Sequence, residues 1–383
     1  MKPILVHVQH LFGSGHVRRI CALADALADH GFRVVLVSGG LAHPEPSRPS
    51  ISLVELPSVG AGNGLGDLVD TQGNPVDESL WRQRADLVRK TVLETGPGLI
   101  ITEGYPFARR RFARELTALI RTAKQDLATP ATVACSVRDI IQPKSRTDRE
   151  DEIVRILNEQ YDYIFIHGEA DFVPLDVSFP KMGNIRSRIV YTGYVDAGPP
   201  IKRPAEKCPG DILVSAGGGI AGRRIYETSI RAASLSPDGS GWTWRILVGN
   251  AIGETDFSTW RRMAPENATV ERNRPDFRQL LAECGVSVSQ IGYNTAVDLV
   301  LSGTRGIVIP YEADGEKEQM IRASSLERLN HVRVLREADL DTETLTDAVA
   351  RLMKSKAEPV PPFSPDGTER FLREVDKLCR PQG

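Results

Sequence analysis

Short apolar, β-branched runs alternate with helix-like stretches over almost the whole chain, and this rhythm constrains the fold more than any other feature. ILVHV (4–8), VVLVS (34–38), LIIT (99–102), TVACSV (132–137) and YIFIH (163–167) form a first set. ILVSAG (212–217), RILVG (245–249), VSVSQ (286–290), GIVIP (306–310) and VRVL (332–335) form a second. The runs are continuously apolar rather than alternating. That pattern predicts strands covered on both faces, hence parallel sheets joined by crossover helices in an α/β protein. Between the first two runs, Ile20, Leu23, Ala24, Leu27 and Ala28 share one helical face, and Gly31 follows where that helix should stop.

A length of 383 residues suits two such domains of roughly 150–200 residues each. Between the two sets lies GYVDAGPPIKRPAEKCPGD (193–211), whose proline, glycine and charge mark a linker. The expected domains are therefore 1–195 and 205–362. Each opens with the same order of strand, glycine-rich turn and helix, as VHVQHLFGSGH and as ILVSAGGGIAG. TERFLREVDKLCR (368–380) reads as a last amphipathic helix, about 366–383, after a proline-rich approach.

The composition excludes several classes. With 48 basic against 50 acidic residues, net charge −2, the chain has no overall electrostatic footprint for nucleic acid. Cys21, Cys135, Cys208, Cys284 and Cys379 show no CxxC spacing, which argues for reduced thiols rather than a disulfide frame or a zinc site. MKPILVHVQH reads as a first strand, and no stretch approaches the ~20 apolar residues of a membrane span. The expectation is a cytoplasmic protein, with peripheral membrane contact left open.

Gly13-Ser14-Gly15-His16 stands directly between the first strand and the first helix. Gly13 and Gly15 let backbone approach a ligand, and the helix start offers N–H groups to an oxyanion. His16, at the positive end of that helix, suits a general base, because the dipole favours its neutral form; the plainer reading makes it a helix-starting residue with local hydrogen bonds. Arg18 occupies the place of the third glycine of a dinucleotide fingerprint, and no Walker A lysine is present. Gly217-Gly218-Gly219 opens the second half in the same manner and fits a pyrophosphate or a plain tight turn. Arg223 lies just beyond, within reach of a phosphate or on a solvated face. Further on, Gly292-Tyr293-Asn294-Thr295 opens a helix, with Asp298 about one turn later on the same face. Such a turn offers hydroxyl, amide and N–H donors to phosphate and a carboxylate to ribose. After the next strand, Glu318 and Gln319 begin another helix and could grip sugar hydroxyls.

The segment SVSQIGYNTAVDLVLSGTRGIVIPYEADGEKEQMIRASSLERL (287–329), together with GSGH, resembles MurG-like GT-B glycosyltransferases over nearly the full chain. The resemblance implies two Rossmann-like domains with parallel sheets facing across a cleft, with the last helix returning to the first domain. It implies a nucleotide-diphosphate sugar, a UDP-sugar, as donor, inversion at the anomeric carbon, and no cofactor or required metal. Thr295 and its turn would hold the diphosphate, Asp298 the ribose, and Glu318 and Gln319 the sugar. Glu318 departs from the family's paired glutamines, and Asp298 replaces a longer Glu. GSGHVRR is similar also to the GxGHxxR signature of PseG-like nucleotide-sugar hydrolases. Hydrolysis, or sugar-nucleotide binding without catalysis, are thus the alternatives to transfer to a glycan, lipid-linked or small-molecule acceptor. In the first domain, the glycine-rich loop 60–66 reads as an acceptor lid or a connection. Glu103, at the carboxyl end of 99–102, is a second candidate acid or base. Arg109, Arg110, Arg111, Arg114 and Arg121 read as a membrane- or pyrophosphate-facing helix or as a solvated one.

Overall fold

The computed structural model describes residues 1–9, 11, 15–41, 43–62, 67–142, 147–202, 207–217, 220–237, 239–355 and 362–380. The chain divides into two units, Met1–Ala197 with Pro365–Gly383, and Gly198–Ser364. The division falls inside the proline- and glycine-rich run.

In unit 1 the main elements are β1 (Ile4–Val8), α1 (Gly15–Asp29), β2 (Val34–Ser38), β3 (Ile51–Glu55), the short β4 (Gly60–Ala61) and β5 (Leu68–Val69), α2 (Glu78–Thr95), β6 (Leu99–Glu103), α3 (Ala113–Arg121), β7 (Thr132–Arg138), α4 (Thr147–Gln160), β8 (Tyr163–His167) and β9 (Arg188–Tyr191). The sheet runs β3-β2-β1-β6-β7-β8-β9 and is parallel throughout. Unit 2 follows with β10 (Cys208–Ser215), α5 (Arg223–Ser234), β11 (Thr243–Val248), α6 (Glu254–Met263), β12 (Ala268–Arg272), α7 (Phe277–Glu283), β13 (Cys284–Ser289), α8 (Tyr293–Ser302), β14 (Arg305–Val308), α9 (Glu318–Arg328), β15 (Val332–Val334) and α10 (Thr342–Lys354). Its sheet, again parallel, runs β12-β11-β10-β13-β14-β15. Both orders are the doubly wound arrangement, reversing beside the first strand of each unit.

The expected strands are present, and the structure adds the short β4–β5 pair and, in the two main sheets, β3, β9 and β12. All three are sheet edges. Only one side of an edge strand is paired, and these are partly exposed along their length, so their sequences mix polar with apolar residues and lack a continuous run. In unit 1, residues 60–61 of the glycine-rich segment pair with β5, while 63–66 lie outside the described residues.

The last helix, α11 (Gly367–Cys379), belongs to unit 1. Phe371 meets Phe165 edge-on at 5.3 Å between ring centroids, and Val375 joins the same core as β1, β2 and α1. A bridge between Val195 and Asp366 aligns the two chain segments near the division. There is no room for a side chain at the helix start: a Cβ on Gly367 would lie 2.3 Å from the Tyr194 carbonyl oxygen. Gly367→Ala is expected to lower stability by about 1–3 kcal/mol, read as a lower midpoint in urea unfolding; an unchanged midpoint would show that the helix start shifts freely.

Candidate functional site

An open parallel sheet binds ligands beyond its carboxyl edge, where the strand order reverses. In unit 2 that point lies between β10 and β13. β10 leads into Gly217, whose φ of +69° is a left-handed conformation suited to glycine; Gly218 and Gly219 lie outside the described residues. The chain then folds tightly back at Gly222, where a Cβ would meet the Cβ of Ala216 at 2.3 Å.

β13 delivers the second turn. Gly292 is the N-cap of α8 and no side chain caps the helix, although Ser, Thr, Asn and Asp are the usual choices there. The helix therefore presents its amino end, with its partial positive charge, to the sheet edge. Asn294 and Thr295 are half-buried beside it, and Tyr293 is buried as part of the packed face.

α9 holds this turn in place. The Gln319 Oε1 accepts from the backbone N–H of Ile291 at 3.0 Å and from that of Tyr311 at 3.2 Å. Its NH2 group is thereby turned away from these amides as a donor. Arg322, fully buried, donates to the Ile291 carbonyl at 2.9 Å and to Glu318 Oε1 at 2.9 Å. Glu318, expected on a sugar, places one carboxylate oxygen on Arg322, since a buried guanidinium requires a counter-charge. Both peptide groups of Ile291 are thus fixed from α9. Arg322, four residues after Glu318, was not singled out in the sequence, though the i,i+4 spacing was the available signal.

Two other expected residues have ion-pair partners. Asp298 is half-buried on α8 and pairs with Arg278 of α7 at 2.8 Å. Arg278 also donates to the carbonyl of Pro199. Arg223 was expected near a phosphate; its guanidinium instead pairs with Asp256 of α6 and lies over the Trp260 ring, 5.5 Å from its centroid. An exposed cation next to an aromatic face and a carboxylate has local partners enough.

In unit 1 the order reverses between β1 and β6. Gly15 and His16 form the first turn of α1, and Gly13 lies outside the described residues. Glu103, at the end of β6, is not presented to the edge as a free acid or base. It is only 3% exposed, with one carboxylate oxygen on Arg19 of α1 and the other on the Ser136 hydroxyl at 2.7 Å. Beneath β1 lies a second buried group. Arg84, fully buried, donates to Glu115 Oε2 at 2.5 Å, Glu115 Oε1 at 2.8 Å, Gln9 Oε1 at 2.7 Å and the carbonyls of Gly39 and Pro57 at 3.1 and 2.5 Å. His7 Nε2 lies 3.0 Å from Glu115 Oε1.

The basic run is neutralised in part: Arg110 pairs with Glu152 at 2.5 Å and Arg114 with Glu78. The five cysteines are free, and burial pushes the Cys284 thiol up to about 12, so it behaves as a small apolar side chain. Among the described residues no three His, Cys, Asp or Glu are grouped to hold a metal ion, and no helix is long and apolar enough to cross a membrane.

Residues 246–369, which contain α8 and α9, match the glycosyltransferase family 28 C-terminal domain. A UDP-N-acetylglucosamine–N-acetylmuramyl-(pentapeptide) pyrophosphoryl-undecaprenol N-acetylglucosamine transferase of Thermotoga neapolitana is 31% identical over 171 residues, 44% of this chain and 46% of that protein. The chain spans about half the length of this relative. MurG of Acinetobacter baumannii superimposes with a TM-score of 0.61 at 12% identity, covering 98% of this chain and 100% of that one. This chain has the GT-B fold. A protein of O. sativa solved with UDP shares the fold at a TM-score of 0.62 and 15% identity, covering 98% and 94% of the two chains.

Proposed function

We propose that this MurG-like protein is a cytoplasmic glycosyltransferase. It moves a hexosyl or N-acetylhexosaminyl group from a nucleotide-diphosphate sugar to the hydroxyl of a glycan, lipid-linked or small-molecule acceptor. The observation that carries this reading is the uncapped amino end of α8 at the unit 2 switch point, bracketed by Gln319 and Arg322, inside the segment that matches the family 28 domain. A UDP-sugar donor is favoured by the name of the Thermotoga relative.

In this reading the donor's diphosphate lies against the first turn of α8, with Asn294, Thr295 and the Gly217 turn as further donors. A preorganised helix end stabilises the charge that builds on the leaving diphosphate as the glycosidic bond breaks. In this reading a metal ion is then not required. Asp298 takes the ribose hydroxyls, and the Gln319 NH2 group faces the sugar. His16 removes the acceptor hydroxyl's proton as its oxygen attacks the anomeric carbon from the side opposite the leaving group, inverting that centre.

Incubation with UDP-N-acetylglucosamine and product analysis tests the reaction class. A conjugate supports transfer, free sugar alone indicates a hydrolase, and neither, with UDP bound, indicates a binding protein. Asp298→Asn keeps the side chain's volume and is expected to weaken UDP affinity by about 1–3 kcal/mol, the worth of hydrogen bonds to a charged acceptor. Calorimetry checks it; unchanged affinity would move the ribose contact to another residue.

A further inference from the structure

A line of buried polar side chains crosses the carboxyl edge of the unit 1 sheet. Arg19 on α1 pairs with Glu103 at the end of β6. Ser136 on β7 lies 2.7 Å from Glu103 Oε2 and 3.0 Å from His167 Nε2 at the end of β8. His167 Nδ1 lies 2.8 Å from the Thr192 hydroxyl. None of the five side chains reaches solvent, and Phe371 of α11 covers the His167 ring at 5.9 Å.

The carboxylate end sets the proton direction as far as the His167 ring. Glu103 can only accept, so the Ser136 hydroxyl donates to it. The Ser136 oxygen must then receive the His167 Nε2–H. Burial, and then the Arg19 charge, press the His167 pKa down to about 3, so the ring is neutral and its Nδ1 accepts from the Thr192 hydroxyl. The line ends on one carboxylate and one guanidinium, held together where water cannot compensate either. Removing one member leaves the other stranded, so the pair has a single low-energy arrangement.

Arg19 lies one turn after His16 on α1. We propose that Arg19 is a positioning residue: through Glu103, Ser136, His167 and Thr192 it locks the first turn of α1 to the carboxyl ends of β6, β7 and β8. This deepens the reading of His16 as base and rests on it only for its consequence in catalysis. The cation is needed there because the first turn of a helix has no intrahelical partners for its N–H groups and frays most readily.

Hydrogen–deuterium exchange on Arg19→Gln and Glu103→Gln tests the lock in the full chain. Both substitutions are close in size to the native residue, and Glu103→Gln serves if Arg19→Gln does not fold. The amides of residues 15–22 are expected to exchange at least about tenfold faster, with 23–29 and β6 and β7 as protected as in the native protein. Arg19→Lys, which keeps the charge, should restore part of that protection. Unchanged exchange at 15–22, or a rise spread evenly over unit 1, would overturn the proposal. UDP release from UDP-N-acetylglucosamine then separates it from the reading of His16. A fall of about tenfold or more in kcat with unchanged UDP affinity supports both, since small misplacements of a reacting group are costly. Faster local exchange with unchanged kcat would keep the lock and remove His16 from the chemistry.

Discussion

His16→Ala lowers turnover about 10²–10⁴-fold, the usual worth of a positioned general base, while UDP affinity stays near native. The second half of that expectation is the more discriminating. The nucleotide is assigned to α8 and the Gly217 turn of unit 2, whereas His16 is in the first turn of α1 in unit 1. The native rate should also fall on acidification as the imidazole takes up its proton. A helix amino end disfavours that cation, so the midpoint should lie at or below the ordinary value of about 6.5. Steady-state rates across pH, with calorimetric UDP titrations of both proteins, measure all three quantities. A well-folded His16→Ala protein of native turnover would end the assignment. Glu103 would not inherit it, because its carboxylate is committed to Arg19 and Ser136.

Arg84→Met is expected to lower stability by about 3–5 kcal/mol, because it leaves a buried carboxylate without its counter-charge. Glu115 has no solvent to turn to, and three further acceptors, the carbonyls of Gly39 and Pro57 and the amide oxygen of Gln9, lose their donor at once. Gly39 makes the room: a Cβ there would lie 2.4 Å from the guanidinium. The effect carries a pH signature. Burial by itself would raise the Glu115 pKa, but hydrogen bonds and charge from His7 and Arg84 outweigh it and hold the carboxyl below its ordinary value. A depressed carboxylate stabilises the fold above its unfolded pKa, near 4.5, and that contribution is lost as pH falls through the folded value. In Arg84→Met the shift reverses, and protonation of Glu115 relieves the strain. The stability gap between native and variant proteins should therefore narrow as pH is lowered toward the carboxylate range. Urea unfolding at several pH values measures it, and a gap independent of pH would show that Arg84 acts through packing alone.

The central strands were legible because burial on both faces demands an unbroken apolar run, as in ILVHV and YIFIH. Three of the four edge strands were not, because ISLVE, RIVY and ATVER serve two environments at once and mix their residues. The turn at 292–295 was legible from glycine before a helix-like stretch. Its bracket was half legible. Gln319 and Glu318 stood out at a helix start, but the target of each was visible only once β13 and α9 were side by side. Gln319 spends its oxygen on backbone amides, and Glu318 spends its carboxylate on Arg322.

By itself, then, the sequence determined two parallel-sheet units and the glycine turn that opens α8. These follow from local rules, burial periodicity and backbone freedom at glycine, that act within a few residues. Tertiary structure alone decided which charges turn inward. Arg19, Arg84, Arg278 and Arg322 look like ordinary surface residues in a helical pattern, since an arginine is almost never fully buried unless paired. Their partners stand as far as 84 residues away, as Glu103 does from Arg19. A guanidinium can leave water only where the fold supplies a carboxylate and carbonyls to replace it, and apart from the i,i+4 spacing of Glu318 and Arg322 no local pattern in the chain records that meeting.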